Sequence, residues 1–343
     1  MNPFFKLLVP QSSVVSLSKN FSQAKDPENN GARQKGLDAG RFVMSFLVVI
    51  LHSMPISQDQ KYSFLSILCR SAVPFFLITS GYFLRINSQV NLRVIKYQLE
   101  KLLPIYVFWM VVYYGVAFST GVSDVLLRPT DLISGGTAFH LWYLPAVGAA
   151  IVIVSYSMTI LGLWGSFFTC FLLACVALST GPYHDVLALS GEARRGGLLI
   201  APSYVLLGHA IARYQRKVPV WSAALITVIG AFAVFFEENS ISILTGNNFI
   251  SHDFIISTYI FGVGAFLFAR SLKSSFLVER LSRLGGLALG IYVSQLLCLW
   301  IFREFIDIRS LYDVFGLAIL SFAAAALLTA TMRKFSVLRR FVG

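Results

Sequence analysis

The chain has 343 residues, 56% hydrophobic and only 13% charged, with a net charge of +12 and a mean hydropathy of +0.72. A soluble domain carries roughly 25% charged residues, so a water-soluble globule is excluded. The excess cations sit in short loops between apolar runs, which argues for membrane orientation and against nucleic acid as a partner. Because backbone groups in lipid must be satisfied within each segment, recurring apolar runs of this length predict an all-α, polytopic membrane protein.

The opening residues, MNPFFKLLVPQSSVVSL, are too broken by polar residues and Pro10 for the apolar stretch of a cleavable leader. Residues 1–36 are expected to form a cytoplasmic tail. Ten spans are then predicted, over about 37–55, 65–85, 102–120, 139–158, 163–180, 196–213, 219–236, 254–270, 285–302 and 312–332. Together they make a transmembrane domain over 37–333, followed by a short cytoplasmic tail at 334–343. The fourth and fifth spans are divided only by a weak turn around Leu161–Gly165, so nine spans is the competing count. With the N-terminus inside, ten spans put 21 of the 28 Lys and Arg on the cytoplasmic side and six outside, with Arg70 inside a span. That bias favours ten spans and two cytoplasmic termini. No internal repeat and no matched pair of interrupted helices suggests an inverted-repeat transporter. The cysteines, Cys69, Cys170, Cys175 and Cys298, lie in apolar runs without metal-ligand spacing, so neither a disulfide frame nor a metal site is expected.

Within the first span, the stretch RFVMSFLVVILH runs from Arg41 to His52. Eleven residues at ~100° each return to within roughly 20° of one helix face, about 16 Å along the axis. One face therefore carries a permanent cation at one end and an imidazole at the other. Separately, each has an ordinary explanation, a snorkelling anchor for Arg41 and an interfacial histidine for His52; sharing a face weakens both.

The second span reads CRSAVPFFLITSGYFL. Arg70 inside it is costly and should face the bundle interior or a wet cavity; its alternative is a helix–helix ion pair. Pro74 should kink or loosen the helix one turn below it. Ser80 and Gly81 permit close backbone approach.

The fourth span opens FHLWYLPAV, placing His140 at the same membrane face as His52. Trp142 and Tyr143 beside it fit either a site or an aromatic belt. Between the fifth and sixth spans, Arg194 and Arg195 run against the charge bias; an anionic group or a polar sugar is their natural partner, with an ion pair to Glu192 as the alternative. Past these, His209 reads as ordinary, Asp253 as a helix N-cap, and Glu237 and Glu238 as solvated.

This constellation resembles acyltransferase family 3, the membrane O-acyltransferases of surface glycans. LDAGRFVMSFLVVILH resembles the family's first helix, CRSAVPFFLITSGYFL its second, HLWYL a motif of its fourth and ARRGGLLIAPSYVLLG a stretch of its sixth. One departure stands near the end. The family often has His after Gly-Ile-Tyr-Leu-Ile, and GIYVSQ here places Gln295.

The resemblance implies a ten-helix fold in a bacterial inner membrane. It implies transfer of an acyl group, acetyl first among the candidates, from cytoplasmic acyl-CoA to a hydroxyl of an extracytoplasmic or lipid-linked sugar in polysaccharide biosynthesis. His52 would be the general base, because imidazole titrates near working pH. Arg41 and Arg70 would hold the anionic donor or stabilise the oxyanion, with Ser80 and Tyr82 beside them on the acyl-CoA. His140, Trp142, Tyr143, Arg195 and Gln295 would shape the acceptor side. Acetyl-CoA would be a co-substrate rather than a resident cofactor, and no metal is needed. The expected partners are acyl-CoA, the sugar or polysaccharide acceptor, the lipid bilayer and the glycan-synthesis machinery. A glycan transporter or flippase, or an export-assembly protein, would use the same intramembrane Arg and His without consuming a thioester.

Overall fold

The computed structural model describes residues 34–55, 62–84, 92–120, 135, 138–189, 196–246 and 252–343. Among these there is no strand. The helices are α1 (Lys35–Ser53), α2 (Ser63–Arg70), α3 (Ala72–Tyr82), α4 (Leu92–Ser119), α5 (Tyr143–Ile160), α6 (Gly162–Thr180), α7 (Gly197–Tyr214), α8 (Val220–Thr245), α9 (Ser257–Ser271), α10 (Phe276–Leu284), α11 (Ala288–Arg303), α12 (Leu311–Lys334) and α13 (Ser336–Arg339). Two 3-10 turns, Phe139–Trp142 and Gly285–Leu287, lead into α5 and α11. Lys35–Gly343 forms one compact unit.

Every expected apolar segment is helical, and the chain is a multi-pass membrane protein. Eight helical stretches among the described residues are long and apolar enough to cross a bilayer: α1, α2 with α3, α4, the turn with α5, α6, α8, α10 with α11, and α12. The sixth and eighth expected spans, α7 and α9, fall outside that set. α9 has 15 residues, roughly 22 Å against a hydrocarbon core of about 30 Å. α7 carries Pro202, Ser203, His209 and Arg213, and most of its residues are buried by neighbours.

Local sequence accounts for the breaks. Pro74 lacks an N–H and its ring crowds the carbonyl four residues back; the chain breaks at Ser71, between α2 and α3. Gly162, at φ +68°, makes the turn that separates α5 from α6, a conformation favoured only for glycine. α12 starts on a capping box in which Ser310 and Asp313 satisfy each other's backbone N–H groups.

Small residues set the tightest seam. A side chain at Gly81 would strike the backbone of Val205, and one at Gly208 the backbone of Ile78. α3 and α7 therefore cross backbone to backbone, around a core of Phe75, Leu77, Ile78, Tyr204, Val205 and Leu206. The C-terminal residues fold onto α4: Phe341 stacks on Phe108 at 4.3 Å, and Trp109 Nε1 donates to the Phe341 carbonyl at 2.9 Å.

The reading of Glu237 and Glu238 as solvated is overturned. α8 continues to Thr245, past the expected end near 236, and carries both carboxylates against the segment before α9. Glu238, 1% exposed, accepts from the His252 backbone N–H at 2.6 Å and meets His252 Nδ1 at 2.8 Å. Glu237 accepts from the Tyr183 hydroxyl and from Ser257 N at 2.7 Å. Burial, and the hydrogen bond to Glu237, push the Tyr183 phenol well above its ordinary pKa.

Candidate active site

A cavity of about 330 Å³ lies among α1, α3, α4, α5 and α11. Val48, Val73, Phe76, Leu144 and Ile151 give it apolar walls, and Arg41, Ser80, Gln98, Lys101, Tyr143 and Tyr292 line it with polar groups. Arg41 makes a loose ion pair with Asp38 at 3.6 Å. Lys101 and Arg333 lie close enough to Arg41 for the three charges to repel one another. Arg333 is held in place by the carbonyls of Gly286 and Gly343. An apolar pocket with convergent cations suits an elongated anion.

The wall of this cavity is aromatic. Tyr143 and Tyr292 both line it, with rings 5.5 Å apart, and the Tyr143 hydroxyl lies 3.5 Å from Ser80 Oγ. Beyond Tyr292 lies His140, 5.5 Å away ring to ring, and the Tyr292 hydroxyl donates to the His140 carbonyl. Tyr113 closes another side of His140 at 5.3 Å. Its hydroxyl donates to Val293 O at 2.8 Å and accepts from Leu297 N at 3.2 Å, which locks it to α11.

His52, in the last turn of α1, faces His140 across 6.0 Å and Phe139 across 5.4 Å. The Gln295 carboxamide lies near enough to act on the His52 ring, yet neither of its amide atoms completes a hydrogen bond. His52 Nδ1 and both ring nitrogens of His140 are likewise buried without a protein partner. Native interiors pair nearly all such atoms, because each orphan costs about 1–3 kcal/mol. Five in one cluster set this place apart from the bonded interior around it.

Charge surrounds this cluster. Arg70 ion-pairs with Asp253, and its Nε donates to Ser66 Oγ at 3.3 Å. Asp253, Arg70 and Arg303 all lie close enough to act on the His52 imidazole.

The structure thus brings Arg41, Ser80 and Tyr143 to one cavity, and His52, His140, Gln295 and Arg70 to one cluster beside it. Tyr82 packs on Phe266, with the Arg270 guanidinium 5.4 Å above its ring, and does not line the cavity. Trp142 sits under Gly197 and against Phe254. Arg194 and Arg195 lie outside the described residues. Asp253 serves as the partner of Arg70 rather than as a free N-cap. Sequence reading passed over Tyr113, Tyr292 and Arg303. Tyr292 had a signal, standing three residues before Gln295 on one helical face; Tyr113 and Arg303 had none.

The model of an acyltransferase domain, that of acyltransferase family 3, matches residues 34–331. The chain belongs to acyltransferase family 3. Curated relatives of this family member include two amino-acid racemases of Enterococcus faecalis, each 28% identical, over 53% and 54% of this chain and 29% and 30% of theirs. A serine/alanine racemase of Enterococcus gallinarum is 23% identical over 67% of this chain and 35% of its own length. The chain spans about a third of the length of these relatives. No solved structure matches it.

Proposed function

We propose that this family 3 member moves an acyl group, acetyl in the first instance, from cytoplasmic acyl-CoA to a hydroxyl of an extracytoplasmic or lipid-linked sugar, within surface-glycan synthesis at the bacterial inner membrane. The observation that carries the proposal is the continuity from the Arg41–Lys101 cavity, through the Tyr143–Tyr292 wall, to the buried His52–His140 pair. Arg41 and Lys101 hold the phosphates of the donor, where charge and fork geometry suit an anion. The apolar cavity takes the pantetheine arm, with the thioester pointing at the tyrosine wall. His52 removes the proton of the acceptor hydroxyl as that oxygen attacks the thioester carbon. The neighbouring guanidinium of Arg70 stabilises the oxyanion, and the thiolate leaves on the side it came from. His140, Tyr143 and Gln295 orient the acceptor. In a ten-span arrangement with both termini cytoplasmic, Arg41 would fall on the CoA side and His52 toward the acceptor side.

The test is label transfer from radiolabelled acetyl-CoA to lipid-linked or polymeric glycan in membranes carrying matched amounts of wild type or His52→Ala. Incorporation by wild type that is lost in His52→Ala is the expected result. Incorporation retained in the variant would remove His52 from the mechanism.

A second reading has one observation behind it. The curated relatives are named as racemases of amino acids, and the match covers about a third of their length. A chain that carries a small polar molecule across the bilayer would use the same buried histidines without consuming acyl-CoA. Substrate movement into vesicles lacking any thioester would favour that reading.

A further inference from the structure

α1 ends at Ser53, one residue beyond His52. The last carbonyls of any helix have no intrahelical donor. Here one side chain serves two carbonyls of that region from 251 residues away in sequence. Arg303, the last residue of α11, donates from Nη2 to the His52 carbonyl at 2.8 Å and to the Met54 carbonyl at 3.1 Å. Its Nε is buried without a protein partner. A cation at a helix C-terminus is favourable in itself. This one, however, grips the peptide unit of the candidate base and lies within electrostatic range of its ring.

We propose that Arg303 is the positioning residue of His52, clamping the end of α1 that carries the imidazole and setting a fixed positive charge beside it. The inference rests on the reading of His52 as the base. Two effects follow. The clamp fixes where the ring nitrogen stands relative to the thioester. The charge sets a fixed positive potential at the ring, which a pH profile reads.

The other charged groups near His52 are paired or exposed. Asp253, ahead of α9, attracts a proton onto the ring, but its charge is matched by Arg70 on α2, with which it pairs. His140 and Gln295 are neutral neighbours of the ring. On α12, which packs against α1, Asp313 is engaged by the N–H groups of Arg309 and Ser310. Glu304 and Asp307, which follow Arg303, are exposed. Among the described residues, Arg303 is the charge left over.

Three variants separate clamp from charge. Arg303→Lys keeps the cation without the planar fork. Arg303→Gln keeps an N–H donor without the cation. Arg303→Met keeps neither. In the labelled acetyl-CoA assay, kcat should fall roughly 10- to 100-fold in Arg303→Met, with the KM for acetyl-CoA unchanged, and recover in part in Arg303→Lys. The acid limb of the pH–rate profile should move to higher pH by about half a unit in Arg303→Gln, because losing the cation lets His52 protonate sooner. It should stay in place in Arg303→Lys.

A readout without turnover runs alongside. Diethyl pyrocarbonate modifies neutral imidazole, so the pH midpoint of His52 modification, followed by peptide mass spectrometry on the purified full chain, should shift upward in Arg303→Gln alone of those two variants. Wild-type kcat with an unmoved profile in Arg303→Gln, or identical modification midpoints in wild type and Arg303→Gln, would overturn the inference. If wild type transfers no label, or His52→Ala still does, the acyltransfer reading fails, while the modification midpoints still judge Arg303.

Discussion

Two seams of this bundle are built on opposite terms. Where α3 crosses α7, glycines let the backbones touch, and the surrounding hydroxyls are bonded, Thr79 to the Phe75 carbonyl and Ser203 to the Ile200 carbonyl. Where α1 meets α11 and the turn before α5, five polar atoms of His52, His140 and Gln295 are buried and unbonded. Satisfied contacts in a tight seam hold a fold. Unsatisfied ones in an interior cost stability and persist where chemistry needs them. Residues from the two seams should therefore fail in different assays.

The largest effect is expected at His52. Replacing it with leucine should lower acyl transfer by about 10²- to 10⁴-fold, while the melting temperature in detergent stays level or rises, since an apolar side chain removes an orphaned polar group. A large fall in melting temperature would make this seam structural after all. Next comes Gly208→Val, where a branched side chain meets the Ile78 backbone. It should destabilise by about 1–3 kcal/mol or more, read as a lower melting temperature and as reduced yield of folded protein, with any surviving molecules active. A third, smaller effect tests the cavity between the seams. Arg41→Gln should raise the KM for acetyl-CoA about tenfold, the loss of one charged hydrogen bond to phosphate, with kcat affected less; an equal fall in kcat and kcat/KM would move Arg41 from donor binding to the transition state. The smallest is the Arg70–Asp253 pair. With Asp253 half-exposed at 51%, a double-mutant cycle on stability should give at most about 1 kcal/mol of coupling.

The sequence made the helical segments legible because apolar runs are a local property. It also made the Pro74 break legible, since the cause and its effect lie three residues apart. The burial of Glu238 was not legible, because two acidic residues at the end of a span look solvated until His252 is brought back over them. The same division runs through the site. Arg41 and His52 could be paired by counting along one helix. Tyr113 on α4 and Arg303 on α11 acquire their meaning only from partners about 180 and 250 residues away, a separation that no pattern in either helix records. Tyr82 and Trp142 show the converse, since motif residues can sit next to a site and be occupied with packing.

The glycine crossing also has a schedule. Gly81 and Gly208 are 127 residues apart in the chain, so at 5–20 residues per second the second arrives roughly 6–25 s after the first. Throughout that interval α3 waits in the bilayer with its narrow face uncovered, and every helix threaded between is offered to it before its own partner exists. The crossing has room for no side chain larger than hydrogen at Gly81 or Gly208, so the close fit forms only once α7 has been made.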